Sequence, residues 1–200
     1  MGTIHRKRCK RYNVPGHAHY LTFSCFHRQP FLTLDPPRRW LMEALVAARS
    51  KIAFDLWAYV IMPEHAHLLV WPREATTVSE ILQVVKLPVV RRARLWALGH
   101  HAFASESMAP TTMLREMADI APDGRTSYRF WQRGGGYDRN LWSPEEIHEK
   151  IHYIHANPVR RSLVDRPEDW PWSSAADWMG VGNPMLRVDR TIPRTDEIPR

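Results

Sequence analysis

Hydrophobic positions along the chain change their period several times, and each change marks an element. From His19 to Phe26, the residues Tyr20, Thr22, Phe23 and Phe26 predict a strand closing near His27-Arg28-Gln29-Pro30. Asp35-Pro36-Pro37 is a helix start, and Leu41, Leu45, Ala48 and Ile52 follow at steps of four, three and four, giving a helix over about 36–51. Phe54 to Met62 then reads as a strand, Pro63-Glu64 as a tight turn, and His65 to Trp71 as the returning strand of a hairpin.

Thr77-Val78-Ser79-Glu80 has capping-box spacing and opens an apolar-rich helix reaching Trp96, which Pro88 is expected to kink or break. Periodicity is lost over residues 97–126, read as an insertion with a short helix at Thr112–Ile120. Ser127 to Trp131 predicts the last strand, and Gly134-Gly135-Gly136 a flexible loop without the lysine and hydroxyl of a phosphate-binding loop. Ser143-Pro144-Glu145-Glu146 is the strongest helix start in the chain. Its buried stripe is Ile147, Ile151 and Ile154, and Pro158 is expected to end it near Ala156. Trp170, Trp172 and Trp178 then read as anchors on the core in preference to base-stacking platforms.

Composition narrows the partner class. With 200 residues, 44% of them hydrophobic, the chain supports one core domain. We place it at 14–178, between a basic arm at 1–13 and a C-terminal tail at 179–200. A net charge of +7 and a pI near 9.8 favour phosphate polyanions, so nucleic acid is the leading partner. Two cation groups are candidate DNA contacts: Arg6, Lys7 and Arg8, beside Lys10 and Arg11, and Lys86, Arg91, Arg92 and Arg94 on the second helix. Cys9 and Cys25 form neither a disulfide framework nor a cysteine zinc site. No apolar run spans a bilayer, and the expected location is the cytoplasm, on the nucleoid when DNA is bound.

His65-Ala66-His67 places two imidazoles on one face of a strand, where they can share a metal ion. His17-Ala18-His19 has the same spacing, so spacing alone does not choose between the pairs. Tyr153 and Asn157 stand four residues apart on one helix face. If that helix covers the sheet face bearing His65 and His67, two imidazoles and an amide oxygen suit manganese or magnesium, with Tyr153 as nucleophile. A competing string, His148-Glu149-Lys150-Ile151-His152, is a literal H-E-x-x-H zinc metallopeptidase signature. The glycine and histidine of its extended form are replaced by His155 and Pro158.

Three stretches carry a family resemblance: Tyr59-Val-Ile-Met-Pro-Glu-His-Ala-His-Leu-Leu-Val70, Tyr153-Ile-His-Ala-Asn-Pro-Val-Arg-Arg-Ser-Leu-Val164, and Pro167-Glu-Asp-Trp-Pro-Trp-Ser-Ser-Ala175. Together they resemble the REP-associated tyrosine transposases, single-tyrosine members of the HUH nuclease superfamily, over roughly residues 13–178. The resemblance implies an α+β fold, a ferredoxin-like antiparallel sheet with helices packed on one face. It implies metal-dependent cleavage and strand transfer on single-stranded or hairpin DNA, REP-like palindromes among the candidates, by a monomer or homodimer. Residue by residue, it makes His65, His67 and Asn157 ligands of Mg2+ or Mn2+ and Tyr153 the nucleophile, leaving a 5′-phosphotyrosine and a free 3′-hydroxyl. The non-enzymatic alternative is a catalytically silent nucleic-acid binder of the same fold. Pro88, the length of 97–126, and a first strand without an arginine soon after Thr22 depart from the family pattern, and His17 and His19 match none of its ligand positions.

Overall fold

The computed structural model describes residues 12–99 and 110–193, which leaves Arg6, Lys7 and Arg8 outside the described residues. β1 (Ala18–Ser24), β2 (Phe54–Ile61), β3 (His65–Pro72) and a short strand at Tyr137–Leu141 form one sheet. Its order is β2, β3, β1 and then Tyr137–Leu141, every neighbouring pair antiparallel. α1 (Asp35–Arg49) links β1 to β2, and α2 (Val78–Ala97) follows β3, so both helical connections join strands that are not neighbours. This is the ferredoxin-like α+β arrangement.

Strand alternation sorts the side chains onto two faces. Leu21, Phe23, Tyr59, Ile61, Leu68 and Val70 point to one, where Leu41 and Leu45 of α1 and Ile81, Val85 and Val89 of α2 bury them. Ala18, Tyr20, Val60 and Leu69 point to the other, covered by Ile147, Ile151 and Ile154. Thus α1 and α2 share one face, and the helix from Ser143 crosses the opposite one. That division places the Tyr153 helix over the His65/His67 side of the sheet.

Several expectations need correction. Pro88 does not end α2, which runs unbroken from a Thr77–Glu80 capping box to Ala97. Its apolar stripe continues past the proline through Val89, Ala93 and Trp96, and that packing outweighs the lost backbone donor. Residues 97–126 hold α3 (Pro110–Glu116) and β4 (Ala118–Ile120), and β4 pairs with β5 (Thr126–Tyr128) in a separate two-stranded sheet. The last strand of the main sheet is therefore not Ser127–Trp131 but β6 (Tyr137–Leu141), after the glycines. β6 lies at the sheet edge and is mostly polar, which hid it from a hydrophobic-pattern reading. Of the three glycines, Gly136 serves packing: it has φ +76°, and a Cβ there would lie 2.0 Å from the Thr22 carbonyl oxygen.

α4 (Pro144–Arg160) runs through Pro158 instead of stopping at Ala156. The segment after it closes the β2 edge. The Ile61 N–H donates to the Trp172 carbonyl at 2.8 Å, and the Trp170 and Trp178 indoles donate to the Ile61 and Trp57 carbonyls at 3.0 and 2.7 Å. Ser174 Oγ accepts from the Tyr59 N–H just before α5 (Ala175–Met179). The stretch expected as a tail contributes Leu186 and Val188 to the core, and the Asp189 N–H donates to the Leu56 carbonyl at 2.8 Å. These contacts protect an edge that would otherwise present unpaired backbone groups.

Candidate functional site

β1–β3 register places Thr22 opposite His67 and Ser24 opposite His65, at the end of the sheet where the hairpin turns. The turn is held from both sides: the Cys25 N–H donates to the Glu64 carbonyl and the Leu32 N–H to the Pro63 carbonyl, each at 2.9 Å. His65 and His67 are both buried, and their Nε2 atoms face each other at 3.0 Å. Two nitrogen ligands at right angles on one ion, each about 2.1 Å from it, stand about 3.0 Å apart, so the pair fits a shared cation.

Their outer nitrogens are committed elsewhere. His65 Nδ1–H donates to Glu64 Oε1 at 3.1 Å. His67 Nδ1 lies 2.8 Å from both the Tyr20 and Thr22 hydroxyls. Such partners fix ring orientation and turn Nε2 toward a ligand. Burial, reinforced by His65 and Lys150, pushes His67 down to about 3. Burial also lowers His65, against the opposing pull of Glu64. Both rings are therefore neutral near pH 7, the form that binds metal. One proton on His67 Nε2, or one cation, settles the two facing lone pairs.

Glu64 ties this pair to α4. Its Oε1 also accepts from Arg161 Nη1 at 2.9 Å and from Arg28 Nη2 at 3.3 Å. Burial raises its pKa, but Arg161 and His65 together outweigh that and hold it below the usual glutamate value. His27 and Arg28 both adopt left-handed backbone, at φ 49° and 55°, a strained conformation for such residues.

Tyr153 meets the histidines in the same chain. Its ring centroid is 6.1 Å from that of His67 and 6.0 Å, edge-on, from that of Tyr20, and the residue is 37% exposed. Burial, with a smaller contribution from Tyr153, raises the Tyr20 phenol, so it stays protonated. Asn157 sits one turn beyond Tyr153, and its Nδ2 donates back to the Tyr153 carbonyl at 2.7 Å, leaving Oδ1 as the ligand-capable end.

Other candidates are dispersed. His17 Nδ1 accepts from Asn140 Nδ2 at 3.3 Å, whereas His19 Nδ1 meets Asp138 Oδ1 at 2.9 Å in a buried pair. His148, Glu149 and His152 are exposed, and His148 Nδ1 donates to the Pro144 carbonyl. Among the described residues no three His, Cys, Asp or Glu side chains gather into a metal site, so the H-E-x-x-H string has no third ligand of those types there. Lys86, Arg91, Arg92 and Arg94 lie on α2, across the sheet from His67. Lys86 Nζ donates to the Gly134 carbonyl, and Arg92 pairs with Glu43.

The sequence reading missed Tyr20, Thr22, Glu64, Lys150, Arg160 and Arg161. Cross-strand register reveals the first two. Glu64, next to His65, was legible only as a turn residue.

No family model matches the chain. In sequence it is 20% identical over 167 residues to the REP-associated tyrosine transposase of Escherichia coli strain K12, covering 82% of this chain and 80% of that protein. In fold it matches the structure of a REP-associated tyrosine transposase bound to a REP hairpin, with a TM-score of 0.63, 19% identity and 96% of each chain covered. Among the described residues no helix is long and apolar enough to cross a membrane. The chain is thus similar to the REP-associated tyrosine transposases, in sequence over most of its length and in fold over nearly all of it.

Proposed function

We propose that this protein is a metal-dependent DNA transesterase of the transposase type, cutting and rejoining one strand of hairpin or single-stranded DNA through Tyr153. The observation that carries the reading is the placement of Tyr153 beside the facing His65 and His67 imidazoles of its own chain. The similar transposase bound to a REP hairpin makes hairpin DNA the substrate class to test first. A basic chain of net charge +7 suits that partner, and the nucleoid is where it would act.

His65 and His67 through Nε2, and Asn157 through Oδ1, would hold Mg2+ or Mn2+. A cation held by these residues would supply Lewis-acid polarisation of a phosphate oxygen and offset the charge of the displacement. The Tyr153 phenol oxygen attacks phosphorus, the bond from phosphorus to the 3′-oxygen breaks, and the phenol proton ends on the departing 3′-hydroxyl. The product is a 5′-phosphotyrosine, still a phosphodiester, so a second 3′-hydroxyl reverses the exchange without another energy source. Glu64, Tyr20 and Thr22 hold the two imidazoles in the geometry that this chemistry uses.

The test is a covalent adduct. With Mg2+ or Mn2+ and a labelled hairpin library carrying randomised single-stranded flanks, the protein should form a DNA adduct that survives denaturing electrophoresis. Tyr153→Phe should abolish it. An adduct that persists in Tyr153→Phe removes Tyr153 from the chemistry. Salt-sensitive DNA binding with no adduct from the unaltered protein would leave a silent binder.

A further inference from the structure

Lys150, Tyr153, Asn157 and Arg160 follow one another along α4 at steps of three, four and three, so they line one side of the helix. Lys150 Nζ lies 4.7 Å from the Tyr153 ring centroid and 4.9 Å from that of Tyr20, and the Arg160 guanidinium carbon lies 5.2 Å from the Tyr153 ring. Two cations thus lie against the ring of one partly exposed tyrosine.

Their charges are not balanced locally. Among the described residues neither Lys150 nor Arg160 forms an ion pair with a carboxylate, whereas nearby Arg28 and Arg161 are both engaged by Glu64. The adjacent imidazoles contribute no negative charge. A surface with two unmatched cations against the ring of one partly exposed tyrosine attracts an anion, and cations flanking an attacked phosphate stabilise the charge it gains.

We infer that Lys150 and Arg160 are a phosphate clamp, holding the non-bridging oxygens of the phosphodiester that Tyr153 attacks. The inference deepens the transesterase reading and rests on it. Cation–π contact with one partly exposed ring keeps both cations beside the residue that attacks. Lys150 supplies a point charge, Arg160 a planar pair of donors.

The experiment has two arms. In the first, single-turnover adduct formation with the hairpin library and Mn2+ is timed for Lys150→Met, Arg160→Met and Lys150→Arg. Each methionine variant should slow it by about 10- to 100-fold, the loss of one charge-assisted hydrogen bond, while Lys150→Arg stays within a few fold. The second arm measures hairpin binding in a Tyr153→Phe background, where no chemistry occurs. Each methionine substitution should lower the salt slope of binding by about 0.7 to 0.9, one phosphate contact. A neutral methylphosphonate walked along the flanks should erase the Lys150→Met effect at one position. Thermal unfolding checks that every variant is folded.

Methionine variants that form adduct at the unaltered rate overturn the clamp while the transesterase reading stands. An effect of Lys150→Met that survives methylphosphonate at every position also overturns it, since the lysine then serves only the ring. If the unaltered protein forms no adduct, the transesterase reading fails, and the binding arm alone decides whether the two cations hold a phosphate.

Discussion

Replacing Glu64 with glutamine tests whether the imidazole pair is built for a metal. Oε1 of Glu64 takes His65 Nδ1–H at 3.1 Å, Arg161 at 2.9 Å and Arg28 at 3.3 Å. Its depressed pKa means that the carboxylate is ionised at neutral pH, so glutamine removes a full charge with little change of shape. Loss of such an outer partner costs about 10- to 100-fold in metal affinity, or about 1.4 to 2.7 kcal/mol. Stability should change less, by about 1 kcal/mol, because the Arg161 and Arg28 side chains are 49% and 68% exposed and recover solvation. The assay is calorimetric titration of Mn2+ into Tyr153→Phe protein without DNA, with and without Glu64→Gln, alongside thermal unfolding. Equal affinities in two folded proteins would refute the positioning role of Glu64. Absence of Mn2+ binding to both would refute the ligand set itself.

Two further predictions concern stability. His155 is buried with Nε2 2.8 Å from Ser174 Oγ, and burial first, then His152 and Arg190, push it from 6.5 down to about 4. The unfolded chain therefore takes up a proton below pH 6.5 that the folded chain refuses until about pH 4, so stability is full above 6.5 and declines as pH falls toward 4. The loss from this residue is about 2 kcal/mol at pH 5, and denaturant unfolding at pH 7.5 and 5 should show a shallower decline in His155→Gln; an identical decline would refute the assignment. Gly136→Ala, with its Cβ 2.0 Å from the Thr22 carbonyl oxygen at φ +76°, should cost about 3 kcal/mol in denaturant unfolding, and a change below about 0.5 kcal/mol would show that β6 is not held there.

What the residue pattern disclosed followed from local physics. The His65–Trp71 strand, the Ser143 cap and the Ile147/Ile151/Ile154 stripe each express a period or a cap within a few residues, and each stands close to where it was read. The family resemblance supplied what no local pattern could, the meeting of Tyr153 with His67 across more than eighty residues of chain. The misses share a cause. β6 is an edge strand recognised by its partner, not its composition, and Pro88 is tolerated because packing of Val85 and Val89 outweighs local propensity. Tyr20, Thr22 and Glu64 became visible as supports only when register set them against His67 and His65.

Pro158 shows how one local exception holds the site together. A proline there removes the N–H that Ile154 would receive, and on propensity the helix should fail one residue before it. Asn157 supplies substitute donors: its Nδ2 reaches the Tyr153 carbonyl at 2.7 Å and the Ile154 carbonyl at 3.4 Å. Pro158 itself is buried within α4, so the added turn gains packing as well. That turn carries α4 to Arg160 and sets Arg161 within reach of Glu64. Had the helix ended at Ala156, Asn157 and Arg160 would have lost their register with Tyr153, and Glu64 its link to α4. The asparagine thus spends its one amide nitrogen on the backbone and leaves its oxygen for the ligand role proposed above, so Asn157→Ala should fray the end of α4 and, on that proposal, weaken Mn2+ binding in the same calorimetric titration.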